Sequence, residues 1–349
     1  MAEVKSKRNC KVISLIATVF NDKKGLELFF ERMKFQTKKP DEIVLVDAGS
    51  RDGTWELMLQ MQENFILPVR VFQEVKCKPS TGRNIAVTKS LGTIIAVTDI
   101  GCDWSDHWFE ELVKPFSIEP STEAVMGQWE VRTSDLEDDW SRADFILNNG
   151  YPFKATPQSH AANRSIAYTK EFYQRLGGLP EDLTFACDDM VLALLIQAHG
   201  KNIKAAPHAV CYWFRPTGYK ALVKEAYRNF LGAGEAGIWK KHMVFTTLRL
   251  WAELLFLPVV LFFYFFGFNG IALVTSVLGA ILLFQKIFKI MSRSNNVMRT
   301  YQMPKISFFK ILYLDYILKI KAFNGYIKGY RNGGVACFNT RNLLSNAGY

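Results

Sequence analysis

Carboxylates almost disappear from the last part of this 349-residue chain. From Cys211 to Tyr349 only Glu225, Glu235, Glu253 and Asp315 are acidic, against eighteen Lys and Arg. That stretch carries about +14 and the residues before it about −4, within an overall charge of +10. An ordinary soluble domain is therefore expected first, followed by a basic segment suited to an anionic partner, either nucleic acid or a membrane surface. Cysteine is sparse. Cys10, Cys77, Cys102, Cys187, Cys211 and Cys337 show neither CxxC nor Cys/His spacing, which argues against a zinc ribbon or a disulfide scaffold. Scattered free thiols fit a reducing compartment. The first residues, "MAEVKSKRNCK", lack the apolar core of a secretory signal, so the first two hundred residues are expected to be cytosolic. The five histidines show no HxxxH spacing and are read as structural. No Walker, GxSxG or GxGxxG pattern occurs, nor any evident internal repeat.

Apolar residues are plentiful, at 49% of the chain with 27 Phe, enough for a large core. Val12–Phe20, Glu42–Asp47, Val69–Phe72 and Thr93–Asp99 are short β-branched runs that predict strands. Helical patterns separate them at 24–36 and 54–64, and Ser80 is positioned to cap a third helix through "TGRNIAVTKS". Such alternation predicts a parallel, doubly wound α/β sheet, whose ligands sit at the carboxyl ends of the strands. Asn21, Asp22, Asp47 and Asp99 fall at those ends. Further on, a strand at Ala124–Trp129, a helix at Asp188–His199, a short strand near Val210–Phe214 and a helix over 218–241 are expected, the last weakened at "GAGEAG". Leu250–Phe268 and Ile271–Phe284 are each near the roughly 20 apolar residues that span a bilayer. Basic flanks, Lys240, Lys241 and Arg249 before and Lys286, Lys289, Arg293 and Arg299 after, predict a hairpin with both ends cytosolic. A pair of buried core helices is the alternative. Residues 305–330 mix Lys with Phe, Leu, Ile and Tyr, as an interfacial amphipathic helix or a helix packed on the soluble domain would. The long apolar runs favour the membrane over nucleic acid as the anionic partner.

Four stretches can carry chemistry. In "VDAGSRDGT", Asp47 precedes a turn whose amides suit a nucleobase or ribose. It is equally a plain βα turn capped by Asp52 and Thr54. In "TGRN", Arg83 occupies the first turn of a helix, where a cation opposes the helix dipole unless an anion such as a diphosphate is held there. A surface arginine is the plainer reading. In "VTDIGCDW", Asp99 is a hard oxygen ligand for Mg²⁺ or Mn²⁺. Gly101 permits close backbone approach, and Asp103 is either a second ligand or a helix cap. In "FACDDM", Asp188 and Asp189 open an apolar helix, either as caps or as a general base beside a positioned neighbour.

Taken in order, "TVFND", "VDAGSRDGT", "TGRN", "VTDIGCDW", "NRSIAY", "GGLPE", "FACDDM" and "YWFRP" followed by "YRNFLGAGEAG" resemble a family-2 glycosyltransferase of GT-A fold. The resemblance spans about residues 12–240 and extends to the apolar hairpin. It implies a cytosolic GT-A domain over 1–240, a two-helix membrane hairpin over 241–290 and a basic amphipathic tail over 291–349. Multi-pass residence in a plasma membrane follows. Thr18, Phe20 and Asp22 would line the nucleotide base, Asp47 would hold it and Arg83 would bind the nucleotide. Asp99 would meet the ribose and the metal, Mg²⁺ or Mn²⁺, with Asp103 as a further ligand. The acidic pair falls on Asp188 and Asp189. Asp189 matches better as the base that deprotonates the acceptor in an inverting displacement. Arg164 resembles an acceptor-side position, and Arg215 and Arg228 resemble late basic positions near a diphosphate or lipid phosphate. The implied partners are a UDP- or GDP-sugar, a lipid-linked or glycan acceptor and membrane lipids, in cell-surface glycan or polysaccharide synthesis. Two departures stand out. Gly101 replaces the usual second carboxylate, which leaves an inactive membrane-docked scaffold as one alternative. The processive-synthase motif QxxRW is missing, which disfavours a polymerising enzyme, the other alternative.

Overall fold

A computed structural model describes residues 12–160 and 162–349; Cys10 and the polar start of the chain lie outside the described residues. The first half alternates as its patterning requires: β1 (Ile13–Val19), α1 (Lys23–Phe35), β2 (Glu42–Asp47), α2 (Thr54–Asn64), β3 (Val69–Gln73), α3 (Pro79–Lys89) and β4 (Ile94–Val97). These four strands pair in parallel in the order β3-β2-β1-β4. β1, β2 and β4 are buried on both faces, the reason their runs are apolar without alternation. Alternate residues still divide between two cores. Leu15 and Ala17 meet Leu26, Phe29 and Met33 of α1 on one face, and Ile16 faces Ala86 and Val87 of α3 on the other.

The sheet is not parallel throughout. After β4 come β5 (Cys102–Trp104), α4 (Trp108–Val113), α5 (Pro115–Ile118), β6 (Ala124–Glu130), α6 (Asp139–Leu147), β7 (Ile166–Thr169), α7 (Lys170–Arg175), α8 (Asp188–His199) and β8 (Ile203–Trp213). They extend the order to β3-β2-β1-β4-β7-β6-β8-β5, with β7 antiparallel to both β4 and β6. The result is a mixed sheet rather than a doubly wound parallel one. The strand expected at 210–214 is the end of an 11-residue strand. Its ladder with β6 jumps from Gly127–Ala206 to Gln128–Val210, so the bulge at 207–209, which contains Pro207, hid the first half of β8. Ser80 does not cap α3: Lys78 holds that position, and Pro79 fills the first turn, where its missing N–H is harmless.

Five helices follow: α9 (Tyr219–Ala236), α10 (Lys240–Phe265), α11 (Asn269–Thr300), α12 (Phe308–Ala336) and α13 (Phe338–Asn346). The helix expected over 218–241 stops inside "GAGEAG": α9 ends at Ala236, capped by Gly237 at φ 73°, while the glycines before it are contact points. A Cβ at Gly232 would lie 2.2 Å from the Ala186 carbonyl oxygen. Along α12, Cβ atoms at Gly325, Gly329 and Gly333 would lie 2.3, 2.0 and 2.4 Å from the carbonyl oxygens of Tyr227, Leu231 and Glu235. One turn apart, these glycines bring α12 onto the bare backbone of α9. Residues 308–336 are thus packed on the rest of the protein. α10 and α11 are 26 and 32 residues long and apolar enough to cross a membrane. Their large side chains, Phe245, Leu257, Phe265, Leu273 and Phe284 among them, face outward, unlike core helices of a soluble domain.

The α9–α12 contact makes a sharp prediction. Gly329→Ala is expected to destabilise by about 1–3 kcal/mol through overpacking. Gly334→Ala meets only the end of the Arg341 side chain, at 3.7 Å, and is expected to gain about 0.5–1 kcal/mol from helix propensity. Thermal unfolding of the two variants checks the sign of each.

Candidate active site

The carboxyl ends of β1, β2 and β4 converge where the strand order reverses, the usual place for a ligand in such a sheet. The two loops that leave β1 and β2 are laced together. Asn21 N–H donates to Ser50 Oγ at 2.8 Å, and Arg51 N–H donates back to Asn21 Oδ1 at 2.8 Å. Asp22 N–H donates to Thr54 Oγ1 at 3.1 Å, while the Asp22 carboxylate caps α1 through Gly25 N–H. Asp52 accepts from the Thr54 and Lys23 amides. Asp47 is fully buried and accepts from the amides of Gly49 and Ser50, the Ser50 hydroxyl and Gln73 Nε2. In this arrangement it builds the turn instead of facing the cleft, so contact with a base requires Ser50 to give way. Thr18 lies under α3, against Gly82, and Phe20 stands 59% exposed at the loop edge.

Arg83 is the hub. Only 7% exposed, it donates from one terminal nitrogen to Asp99 Oδ1 at 2.7 Å and from the other to Asp188 Oδ2 at 2.9 Å. Burial opposes its charge, but Asp99 and Asp188 overcome that and hold its pKa above the ordinary value. Asn163 Nδ2 also approaches Asp188, at 3.4 Å. Asp188 and Asp189 open α8 after Cys187, which sits in the left-handed region at φ 78°. Among the described residues no cation is hydrogen-bonded to Asp189; its Oδ1 accepts from Met190 N–H at 2.8 Å. Burial first, and then the neighbouring Asp188 charge, push its carboxyl up to about 6, with Arg164 and Arg83 pulling the other way.

A cavity of about 440 Å³ opens over this group. Arg83, Asp99, Asp188 and Asp189 line one side, and Lys224 and Arg228 of α9 line the other. The Arg228 guanidinium lies 4.2 Å from the Phe185 ring centre and has no carboxylate partner among the described residues. Arg164 stacks on Trp213 and Trp129, at 3.9 and 5.2 Å, with its buried Nε unpartnered. The loop before α8 is tied down on both sides. The Glu235 carboxylate of α9 accepts from Thr184 N–H at 2.8 Å, and the Asp182 carboxylate accepts from Thr340 N–H of α13 at 3.0 Å.

Two expected site residues are elsewhere. Asp103 neither caps a helix nor joins Asp99. It lies buried in β5, paired with Arg32 at 2.8 Å and Arg132 at 2.9 Å, so its charge is spent on structure. Arg215 is also buried. It bridges Asp144 and Glu225 at 3.0 and 2.6 Å and stacks on Trp213 and Tyr151, which leaves no free edge for a diphosphate. Sequence reasoning missed Asn163, although it stands in the quoted "NRSIAY". It also missed Lys224, which helical spacing from Arg228 would have found. Among the described residues no three His, Cys, Asp or Glu side chains gather as a metal site. Asp99 offers one carboxylate oxygen beyond its bond to Arg83. That fits only a cation held mainly by substrate phosphates and water.

Comparison with known proteins agrees with the ordered motifs. The family model described as Glycosyl transferase family 2 matches residues 14–177. Glycosyltransferase AglE of Haloferax volcanii is 23% identical over 253 residues, 70% of this chain and 81% of its own length. The O-antigen chain rhamnosyltransferase RfbN of Salmonella typhimurium is 27% identical over 251 residues, 64% of this chain and 77% of its own. Among solved structures, the mannosyltransferase PcManGT from Pyrobaculum calidifontis, in complex with GDP-Man and Mn²⁺, superimposes with a TM-score of 0.49 at 18% identity, covering 97% of this chain and 79% of that one.

Structural and site charges are expected to respond differently. Arg215→Met strands two carboxylates and is expected to cost about 3–5 kcal/mol, whereas Arg228→Met is expected to stay within about 0.5 kcal/mol. Denaturant unfolding separates them. For Asp189, the folded pKa of about 6 exceeds the ordinary value of 3.8. The native state therefore holds the extra proton between these values, and stability falls as pH rises through that window. Asp189→Asn is expected to remove this slope and to raise Tm at pH 7.5 by about 2–4 °C, the effect of about 1 kcal/mol. A Tm that drops instead would mean that the carboxylate is a structural anchor.

Proposed function

We propose that this protein is a membrane-anchored, inverting glycosyltransferase that moves a sugar from a UDP- or GDP-linked donor to a lipid-linked acceptor in cell-surface glycan synthesis. The observation that carries the reading is Asp189. A carboxyl poised at about 6, free of any cation bond, shares one cavity with Asp99, Arg83, Lys224 and Arg228. At neutral pH it is mostly ionised yet basic enough to take a proton. The acceptor oxygen attacks the anomeric carbon as its proton passes to Asp189. The bond from that carbon to the diphosphate oxygen breaks on the opposite face, and the electron pair leaves with the nucleotide. One displacement inverts the centre. Asp188, held by Arg83, keeps the start of α8 in register and sustains the raised pKa of its neighbour. Lys224 and Arg228 neutralise the departing diphosphate. Asp99 would hold Mg²⁺ or Mn²⁺, which when bound supplies Lewis-acid neutralisation of the same group.

The relative named for the O-antigen chain, and the outward apolar faces of α10 and α11 with basic residues at their polar ends, support an acceptor carried in the membrane, with the catalytic part on the cytosolic side. A single addition fits better than processive synthesis, since QxxRW is missing from the sequence and the described residues hold two helices long and apolar enough to cross a membrane. The mass of the product distinguishes the two.

Thermal unfolding of the detergent-purified chain, with UDP, GDP, CDP or TDP and with Mg²⁺, Mn²⁺ or chelator, tests the site. One nucleotide at 100 times its Kd is expected to stabilise by about 2.7 kcal/mol, only with metal, and the effect is expected to vanish in Asp99→Ala. Asp189→Asn is expected to keep that stabilisation while losing turnover by about 10²–10⁴-fold. Stabilisation by none of the nucleotides would refute the donor assignment. Binding without turnover in the unmodified protein would favour the scaffold.

A further inference from the structure

A second concave site lies away from the catalytic cavity, where α10, α11 and α12 meet the end of α6. It encloses about 330 Å³, and its charged lining is Arg249, Lys286, Lys289, Arg293 and Lys319 with Glu253 and Asp315. Five cations thus face two carboxylates. Both carboxylates are already engaged: Glu253 accepts from Arg249 at 2.9 Å and Lys286 at 2.7 Å, and Asp315 accepts from Lys286 at 2.9 Å and Lys319 at 2.8 Å. Lys286 is only 4% exposed, and its Nζ lies 3.2 Å from the centre of the Tyr316 ring. The network is therefore fixed and the surplus charge is left over. Lys289 has no carboxylate partner among the described residues, and Arg293 donates only to the Leu147 carbonyl.

The location names the ligand class. Arg249 immediately precedes the apolar run that starts at Leu250, and Lys286 and Lys289 follow the run that ends at Phe284. The break at Gly267 and Phe268 folds α10 and α11 into a hairpin, so both polar ends come to one level. Above that level the helices expose Leu254, Leu257, Ile281 and Phe284. A ligand that fits carries negative charge at the pocket and apolar chains along those side chains. We infer that this cavity binds the phosphodiester headgroup of an anionic phospholipid, apart from the donor and acceptor sites. The assignment rests on the membrane reading of α10 and α11 given above. The bound lipid completes the charge balance of the Glu253–Lys286–Asp315 network at the boundary between hydrocarbon and water.

The test uses the full chain, delipidated in neutral detergent, with Tm followed against phosphatidylglycerol, phosphatidylcholine or inorganic phosphate. Phosphatidylglycerol alone is expected to raise Tm saturably. In K289Q its half-saturating concentration is expected to rise roughly fivefold, and in K289Q/R293Q roughly 30-fold, while nucleotide stabilisation is unchanged. Lys289 is exposed and unpaired, so the single variant stands if the double one does not fold. Equal effects of the two lipids, or a phosphatidylglycerol midpoint unmoved in K289Q, would overturn the inference. Inorganic phosphate matching phosphatidylglycerol would replace the lipid with a soluble anion. Flotation with pure phosphatidylcholine vesicles isolates the underlying reading: failure to float refutes the membrane hairpin itself, whereas flotation without headgroup preference refutes only this site.

Discussion

The buried guanidinium of Arg83 is the constraint around which the candidate site is arranged. Three segments far apart in sequence, the second turn of α3, the loop after β4 and the start of α8, are joined by its bonds to Asp99 and Asp188. The buried charges of Arg83 and Asp188 depend on each other, since breaking a buried pair costs several kcal/mol, and Asp99, a third exposed, completes the bridge. Their mutual satisfaction also fixes the neighbour. With Asp188 committed to Arg83, Asp189 is left beside a negative charge, partly out of water and without a cation of its own. The two adjacent carboxylates thereby acquire different settings: Asp188 is bound to Arg83, while burial and its neighbour raise the pKa of Asp189.

A similar economy runs through the rest of the polar interior. Asp103 and Arg215 look from the sequence like ligand-binding groups, but each is saturated by ion pairs. What distinguishes the charges left over, Arg228 and Lys224 in one cavity and Lys289 in another, is the lack of a carboxylate partner among the described residues. Sequence position shows which residues are charged; only the packed structure shows which charges are unspent.

The parallel half of the sheet was legible because its strands are buried on both faces and their helices begin and end on ordinary signals. Glu42–Asp47 and Thr54–Asn64 coincide with the expected ranges. The antiparallel half was not, because β5 has three residues and β8 carries a bulge that interrupts its pattern. In the site, Arg83, Asp99, Asp188 and Asp189 do come together, as their ordered motifs suggested. The sequence could not reveal that Asp103 and Arg215 are saturated, since Arg32, Arg132 and Asp144 lie 71, 29 and 71 residues from them. The glycines of "GAGEAG" were legible as a weak point; Gly237 does end α9, whereas Gly232 and Gly234 are places where the helix meets neighbouring backbone. Helix propensity scores a glycine in isolation, whereas interhelical contact rewards its missing side chain.

The loop before α8 deserves one consequence. Thr184 is held by Glu235 of α9, and Asp182 by Thr340 of α13, while α12 lies along α9. The carboxylate at position 189 is therefore positioned by parts of the chain as distant as residue 340. This architecture is not modular in the way its linear order suggests. A cut after α9 would strip that helix of its glycine-lined partner and release the loop from one of its two tethers. The late helices and the start of α8 are thus joined through one loop, so removing either would leave the acidic pair with fewer fixed neighbours.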